Sequence, residues 1–154
     1  GESDITCNGA CDGTASVGIS GGISPFDILW SNGSTATSLS SLCPGTYIVT
    51  VSDAGGCTLV DSVIITEPDV LAASISSSQD ALCSGDCNGE ATVEVTGGTR
   101  PYTYAWDGGH TDSLAVGLCG RSYDVVVNDA NGCPAVTTTA NINEPSSIIR
   151  NFLF

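Results

Sequence analysis

The chain has 154 residues, with 17 Asp and Glu against three Arg and no Lys, and a formal net charge of -14. Such a surface repels polyanions, which argues against nucleic acid and anionic membranes as partners. Nineteen Gly, abundant Ser, Thr, Val and Ile, and no Met favour an all-β chain with tight turns.

No segment has a convincing helical period, and neither a signal peptide nor a membrane-length apolar run is evident. A chain that does not start with Met is expected to be a processed or excised mature form. Eight Cys in so short a chain point to an oxidising compartment.

In chain order, the first elements are the turn-rich NGACDG, holding Cys11, and an alternating run with Ala15, Val17 and Ile19 on one face. After the turn SGG come Phe26, Ile28 and Trp30, again alternating, and then the turn SNGS. Cys43 precedes a run with Tyr47, Val49 and Val51 inward, and the turn DAGG leads through Cys57 to a final strand at about 58 to 66. Glu67-Pro68 closes this stretch. A new alternating run, Leu71, Ala73 and Ile75, opens the next.

From there the pattern repeats. Cys83, Cys87, Cys119 and Cys133 each lie 76 positions after Cys7, Cys11, Cys43 and Cys57 (83 minus 7, and so on). The same offset relates Trp30 to Trp106, Tyr47 to Tyr123, Pro25 to Pro101 and Gly21-Gly22 to Gly97-Gly98. The inward sets of the second copy are Ala91, Val93, Val95, then Tyr102, Tyr104, Trp106, then Tyr123, Val125, Val127. One residue is inserted after Cys133, so that Glu144-Pro145 answers to Glu67-Pro68. Internal repetition of short strands predicts two tandem immunoglobulin-like β-sandwich domains, 1-68 and 69-145, followed by a tail, 146-154. The Tyr of LCPGTY and of LCGRSY takes the place of a tyrosine corner, which puts the strand before the last hairpin at 46 to 52 in the first unit.

Four cysteines per unit allow three connectivities. In a sandwich the start of the second strand and the turn before Tyr47 share one end, which favours Cys11 with Cys43 and Cys87 with Cys119. That leaves Cys7 with Cys57 and Cys83 with Cys133. Cys43 with Cys57 is disfavoured because an extended strand separates them. The rival reading, a metal site built on C-x3-C and a distant pair, lacks the closer spacing that zinc sites use at both ends.

Together the C-x-G-x-C-x-G stretch, GGISPFDILWSNG and GGTRPYTYAWDGG, LCPGTYIVTVSDAGGC and LCGRSYDVVVNDANGC, and the closing EP resemble SprB-type repeats. These occur in large surface proteins of gliding and other Bacteroidota. The resemblance covers nearly all of both units. It implies an extracellular protein exported by the type IX system, with an adhesive or structural role and no catalysis.

The tail SSIIRNFLF has the character of the strand at 71 to 76, with Ile148 answering to Leu71, Phe152 to Ile75 and Phe154 to Ser77. By the same alignment Gly1 corresponds to Ser77, so the first unit is expected to lack its first strand. One reading makes the chain a filament subunit, in which Ile148, Ile149, Phe152, Leu153 and Phe154 complete the first unit of another copy. A second makes it two repeats of a longer adhesin, and a third lets the tail fold back on its own unit or fray. Arg150 falls where Ala73 faces inward, and a one-residue shift would turn Ile149, Asn151 and Leu153 inward instead.

No G-x-S-x-G, HExxH or phosphate-binding loop is present, and no cofactor is implied. His110 has Ser34 as its counterpart, which excludes a repeated histidine site and reads as a turn residue. Asp53 and Asp129 open hairpin turns, where Asp is favoured for local hydrogen bonds, although calcium ligation is the alternative. Arg100 and Arg121 have no counterparts and could pair with acids at a contact. Asp61-Ser62-Val63 and Asp112-Ser113-Leu114 resemble Bacteroidota O-glycosylation triplets, and Asn32-Gly33-Ser34 fits the N-glycan pattern. A carbohydrate-binding role would use Tyr102, Tyr104 or Trp106 as a platform, but alternation assigns Trp106 to the core.

Overall fold

The computed structural model describes residues 1-148, whose regular structure is entirely β. The chain divides into one compact unit at Gly1–Pro68 and a second that begins at Asp69. The first contains β1 (Glu2–Ser3), β2 (Gly13–Ser16), β3 (Phe26–Trp30), β4 (Ser38–Leu42), β5 (Gly45–Asp53) and β6 (Thr58–Ile65). Two sheets, ordered β1-β2-β4 and β3-β5-β6, lie face to face. Period-two alternation explains the packing: Ala15 and Leu39 from one sheet meet Trp30, Val49, Val51 and Ile65 from the other in a single core.

The second unit repeats the plan with β7 (Ala72–Gln79), β8 (Gly89–Thr96), β9 (Thr103–Trp106), β10 (Leu114–Leu118), β11 (Ser122–Asn128) and β12 (Val136–Asn141). Its sheets are ordered β7-β8-β10 and β9-β11-β12, and all pairings are antiparallel. Each unit is thus a six-stranded immunoglobulin-like sandwich.

Buried polar atoms in these cores find partners. The indole N–H of Trp30 donates to the Ala36 carbonyl and that of Trp106 to the Asp112 carbonyl, each at 2.9 Å. The Tyr47 hydroxyl donates to the Cys43 carbonyl at 3.0 Å, and the Tyr123 hydroxyl accepts from the Cys119 amide at 2.9 Å. Both tyrosines therefore tie a strand start to the turn four residues upstream, as the corner reading predicts.

The hairpin aspartates act as anionic hydrogen-bond acceptors. Asp53 accepts from the backbone N–H of Gly55, Cys57 and Ile23, and Asp129 from those of Cys133 and Thr99. For Asp53 the Cys57 amide is the largest influence, and with the other donors it holds the carboxyl below its ordinary 3.8. For Asp129 burial pushes the carboxyl up, but the amides of Cys133, Thr99, Asn131 and Gly132 outweigh it and hold the group below 3.8. Oxygens already engaged by N–H donors are poorly disposed toward a cation.

Of the disulfides, one joins Cys11 to Cys43, with Cα atoms 4.1 Å apart, and another Cys87 to Cys119, 3.9 Å apart, while Cys7 and Cys133 are disulfide-bonded as well. The other two expected bridges do not form, because Cys57 and Cys83 are free and exposed. The reason is the length of the last strand. The Cys7 loop is pinned to the far end of β6, where the Gly9 amide donates to the Glu67 carboxylate and the Asn8 side-chain amide to the Pro68 carbonyl. Cys57 precedes the near end, and eight extended residues span about 26 Å. In the second unit the Gly85 amide donates to Glu144 beyond β12, whereas Cys133 precedes β12. An extended strand keeps each of these pairs apart, as one does Cys43 and Cys57.

Gly89 is held by space. A Cβ there would lie 2.6 Å from Ile142 Cγ2 and within about 3 Å of two backbone carbonyl oxygens, and Gly13 meets Ile65 in the same way. Gly89→Ala should therefore cost about 1 to 3 kcal/mol by overpacking, read as a lower thermal midpoint by circular dichroism. A second expectation concerns acid. Because the folded pKa of Asp129 is lowered, its stabilisation is complete above 3.8 and is lost as pH falls through the folded value. The midpoint of the wild-type chain should fall below about pH 4, and that of Asp129→Asn should fall less over the same range.

Candidate functional site

Repetition makes each unit a control for the other, and the main difference lies at the first strand. β7 has eight residues and pairs with β8 from Ala72↔Thr96 through Ile75↔Val93 to Gln79↔Glu90. β1 has two, paired as Glu2↔Ala15 and Ser3↔Thr14. The first unit therefore does not lack this strand altogether: its last two positions are present, extended by Gly1, whose amine and carbonyl bond Ser16.

The neighbouring strand responds. β8 runs for eight residues, but β2 stops after four, at Ser16. The counterparts of Val93–Thr96, residues 17-20, have no strand on this side among the described residues. Side-chain burial follows: Val93 is 3% exposed but Val17 is only half-buried, and Ile19 is 37% exposed. In the second unit Ala73 and Ile75 pack onto the core, and β7 also lies beside β12, so it closes the gap between second and last strands.

In the first unit that gap is a groove of about 220 Å³, lined by Ala15, Val17, Trp30, Val49 and Val63 together with Asp61 and Ser62. A second depression of about 180 Å³ lies toward the hairpin end, lined by Ile19, Gly22, Phe26, Val51, Asp53 and Cys57. The matching place in the second unit is covered. Asp69 accepts from the Gly98 amide, a Cβ on Gly97 would strike the Val70 carbonyl, and Leu71, buried, reaches over Gly98 beside Asp129. Both recesses of the first unit thus match places that residues 69-75 fill in the second.

The other residues singled out fall elsewhere. Ile148, the counterpart of Leu71, is 97% exposed, and Ile149, Phe152, Leu153 and Phe154 lie outside the described residues. Ser62 is exposed on β6 at the groove, Ser113 is half-buried, and Asn32 is exposed in a turn. His110 is half-buried in the β9–β10 turn, its carbonyl accepting from Trp106. Arg100 and Arg121 sit over the rings of Tyr102 and Tyr123, at 5.3 and 3.8 Å from the centroids. Trp30 and Trp106 are buried and offer no flat face to a sugar. Tyr102 and Tyr104 are half-buried against the core. Sequence reasoning missed the depression at Gly22, although the exposed-looking Gly21-Gly22 and the apolar Leu71 after the first EP hold the signal.

Residues 3-35 and 75-111 match the SprB repeat. No curated protein matches the chain. Among solved structures, the amphioxus IgVJ-C2 molecule aligns over 84% of this chain and 94% of its own, at 11% identity and a TM-score of 0.41. The sandwich assignment rests on strand order and register, not on that alignment. Each SprB match takes in one C-x3-C pair, the second strand and the Trp strand of its unit, so the chain carries two tandem copies of the SprB repeat.

Proposed function

We propose that this protein is a non-enzymatic structural protein of the bacterial surface, whose copies join head to tail. In this reading, residues 146-154 of one copy add as a strand to the first unit of the next. SprB repeats occur in cell-surface proteins, which supports an extracellular setting, and export by the type IX system is part of this reading. The observation that carries the assembly is the four-residue β2 beside a groove, where the equivalent β8 keeps eight residues under β7.

Strand addition would serve two needs of the first unit. It would pair the backbone of residues 17-20, and it would cover the groove over Trp30 and Val49. Ile148 would take the depression at Gly22, as Leu71 takes the one at Gly98, and Phe152 would follow Ile75 into the gap between β2 and β6. Each large apolar side chain so buried contributes about 1.5 to 3 kcal/mol. A tail-to-first-unit contact is heterologous, so it builds a fibre when it does not close into a ring. O-glycans on Ser62 or Ser113 would coat such a fibre, and Ser62 lies where the added strand would pass.

A second reading is favoured by the second unit itself, in which β7 follows the first EP along the same chain. In a longer adhesin of this type, preceding residues would supply the strand in the same way, and the tail would begin a third unit. Surface attachment, including attachment to glycans, would then be the role.

Negative-stain electron microscopy of the intact chain and of a chain without residues 146-154 separates the readings. Fibres from the first and none from the second are expected, and dispersed particles from both would sink the assembly. Ile19→Asp, on an exposed side chain at the open edge, is expected to leave the thermal midpoint nearly unchanged and abolish fibres.

A further inference from the structure

Two thiols remain outside the bridges described above, and both sit at the ends that head-to-tail joining would bring together. Cys57 is exposed and lines the depression of the first unit with Ile19, Gly22 and Asp53. Cys83 is exposed and lies in a recess of the second unit with Leu82, Ser84 and Pro145 through Ile148. There the Ser84 and Ser147 hydroxyls are bonded at 2.8 Å, which holds the segment after the second EP against the Cys83 loop.

The repeat supplies an independent indication. The counterpart of Cys57 is Cys133 and that of Cys83 is Cys7, and both counterparts are disulfide-bonded. Each of these positions therefore carries a disulfide in one unit and a free thiol in the other. The recesses beside them are complementary as well: Ile148, beside Cys83, is the counterpart of Leu71, and the depression beside Cys57 is the counterpart of the place Leu71 covers.

The geometry points to a disulfide between Cys83 of one copy and Cys57 of a second copy, covalently locking each head-to-tail joint. The inference rests on the assembly proposed above. Seating Ile148 over Gly22 would carry the Cys83 loop to the hairpin that bears Cys57. The chemistry needs a small-molecule disulfide or a thiol–disulfide oxidoreductase as oxidant. With oxidised glutathione, the Cys83 thiolate attacks one sulfur to give a mixed disulfide and one reduced glutathione. The Cys57 thiolate then displaces the second glutathione, so two thiols lose two protons and two electrons to one glutathione disulfide.

The test uses the full chain in a glutathione redox buffer, analysed by non-reducing electrophoresis and by mass spectrometry of the cross-linked peptides. A ladder of dimers, trimers and higher multimers is expected, with the Cys57 and Cys83 peptides joined. Cys57→Ser and Cys83→Ser should each abolish the ladder. Mixed together, they should give a dimer and nothing larger, in yield on the order of tenfold above either alone, because docking raises the effective concentration of the remaining thiols. Equal dimer from the mixture and from either variant alone would mean random oxidation and overturn the inference. Fibres by microscopy without the Cys57–Cys83 peptide would also overturn it while leaving the assembly intact. Loss of both fibres and ladder would overturn the two together.

Discussion

A sandwich of two three-stranded sheets stays dry only if the gap between its second and last strands is covered. With so few strands there is no spare layer, and one edge strand must serve both sheets by pairing with the second and lying beside the last. β7 does this in the second unit, and the consequences can be followed residue by residue: Val93 is buried, β8 keeps its full length, and Ala73 and Ile75 join the core. In the first unit β1 covers only the end of that path, and β2 shortens, Ile19 emerges and a groove opens over Trp30 and Val49. These differences between two units of one sequence pattern thus trace to one strand.

The remaining architecture surrounds that constraint. Disulfides Cys11–Cys43 and Cys87–Cys119 tie the second strand to the turn before the tyrosine, at the end where the tyrosine hydroxyls also bond the turn. Each such bridge closes a loop of about 32 residues and contributes about 2 to 4 kcal/mol by restricting the unfolded chain. The opposite end depends on Asp53 and Asp129, whose carboxylates gather the amides of the hairpin and of the loop after the paired glycines. Covalent bonds and amide–carboxylate contacts fix the two ends of each unit, and they leave the open edge as the first unit's distinctive surface.

Much of this was legible in the residues. Alternation at Ala15, Trp30, Val49 and their counterparts gave the strands, because a half-buried strand writes its inward face every second residue. The 76-residue offset gave the number of units, and the corner position of Tyr47 and Tyr123 gave the sandwich type. The outer cysteine pairs were not legible. Pairing Cys7 with Cys57 by elimination overlooked that the EP dipeptide holds the Cys7 loop at the far end of β6, a contact between residues some sixty positions apart.

What the sequence determined by itself is therefore the local and periodic content: strands, turns, repeat length, the two inner bridges, and the family to which the repeats belong. These follow from side-chain alternation and turn chemistry, which act over a few residues and show in the order of letters. Only the tertiary structure decided which end of each sandwich a loop occupies, that Cys57 and Cys83 are free, that a two-residue β1 starts the first unit, and that Leu71 covers a place left open at Gly22. Those outcomes depend on distances across folded sheets, where strand length sets reach and a missing neighbour changes the conformation of residues it would have touched.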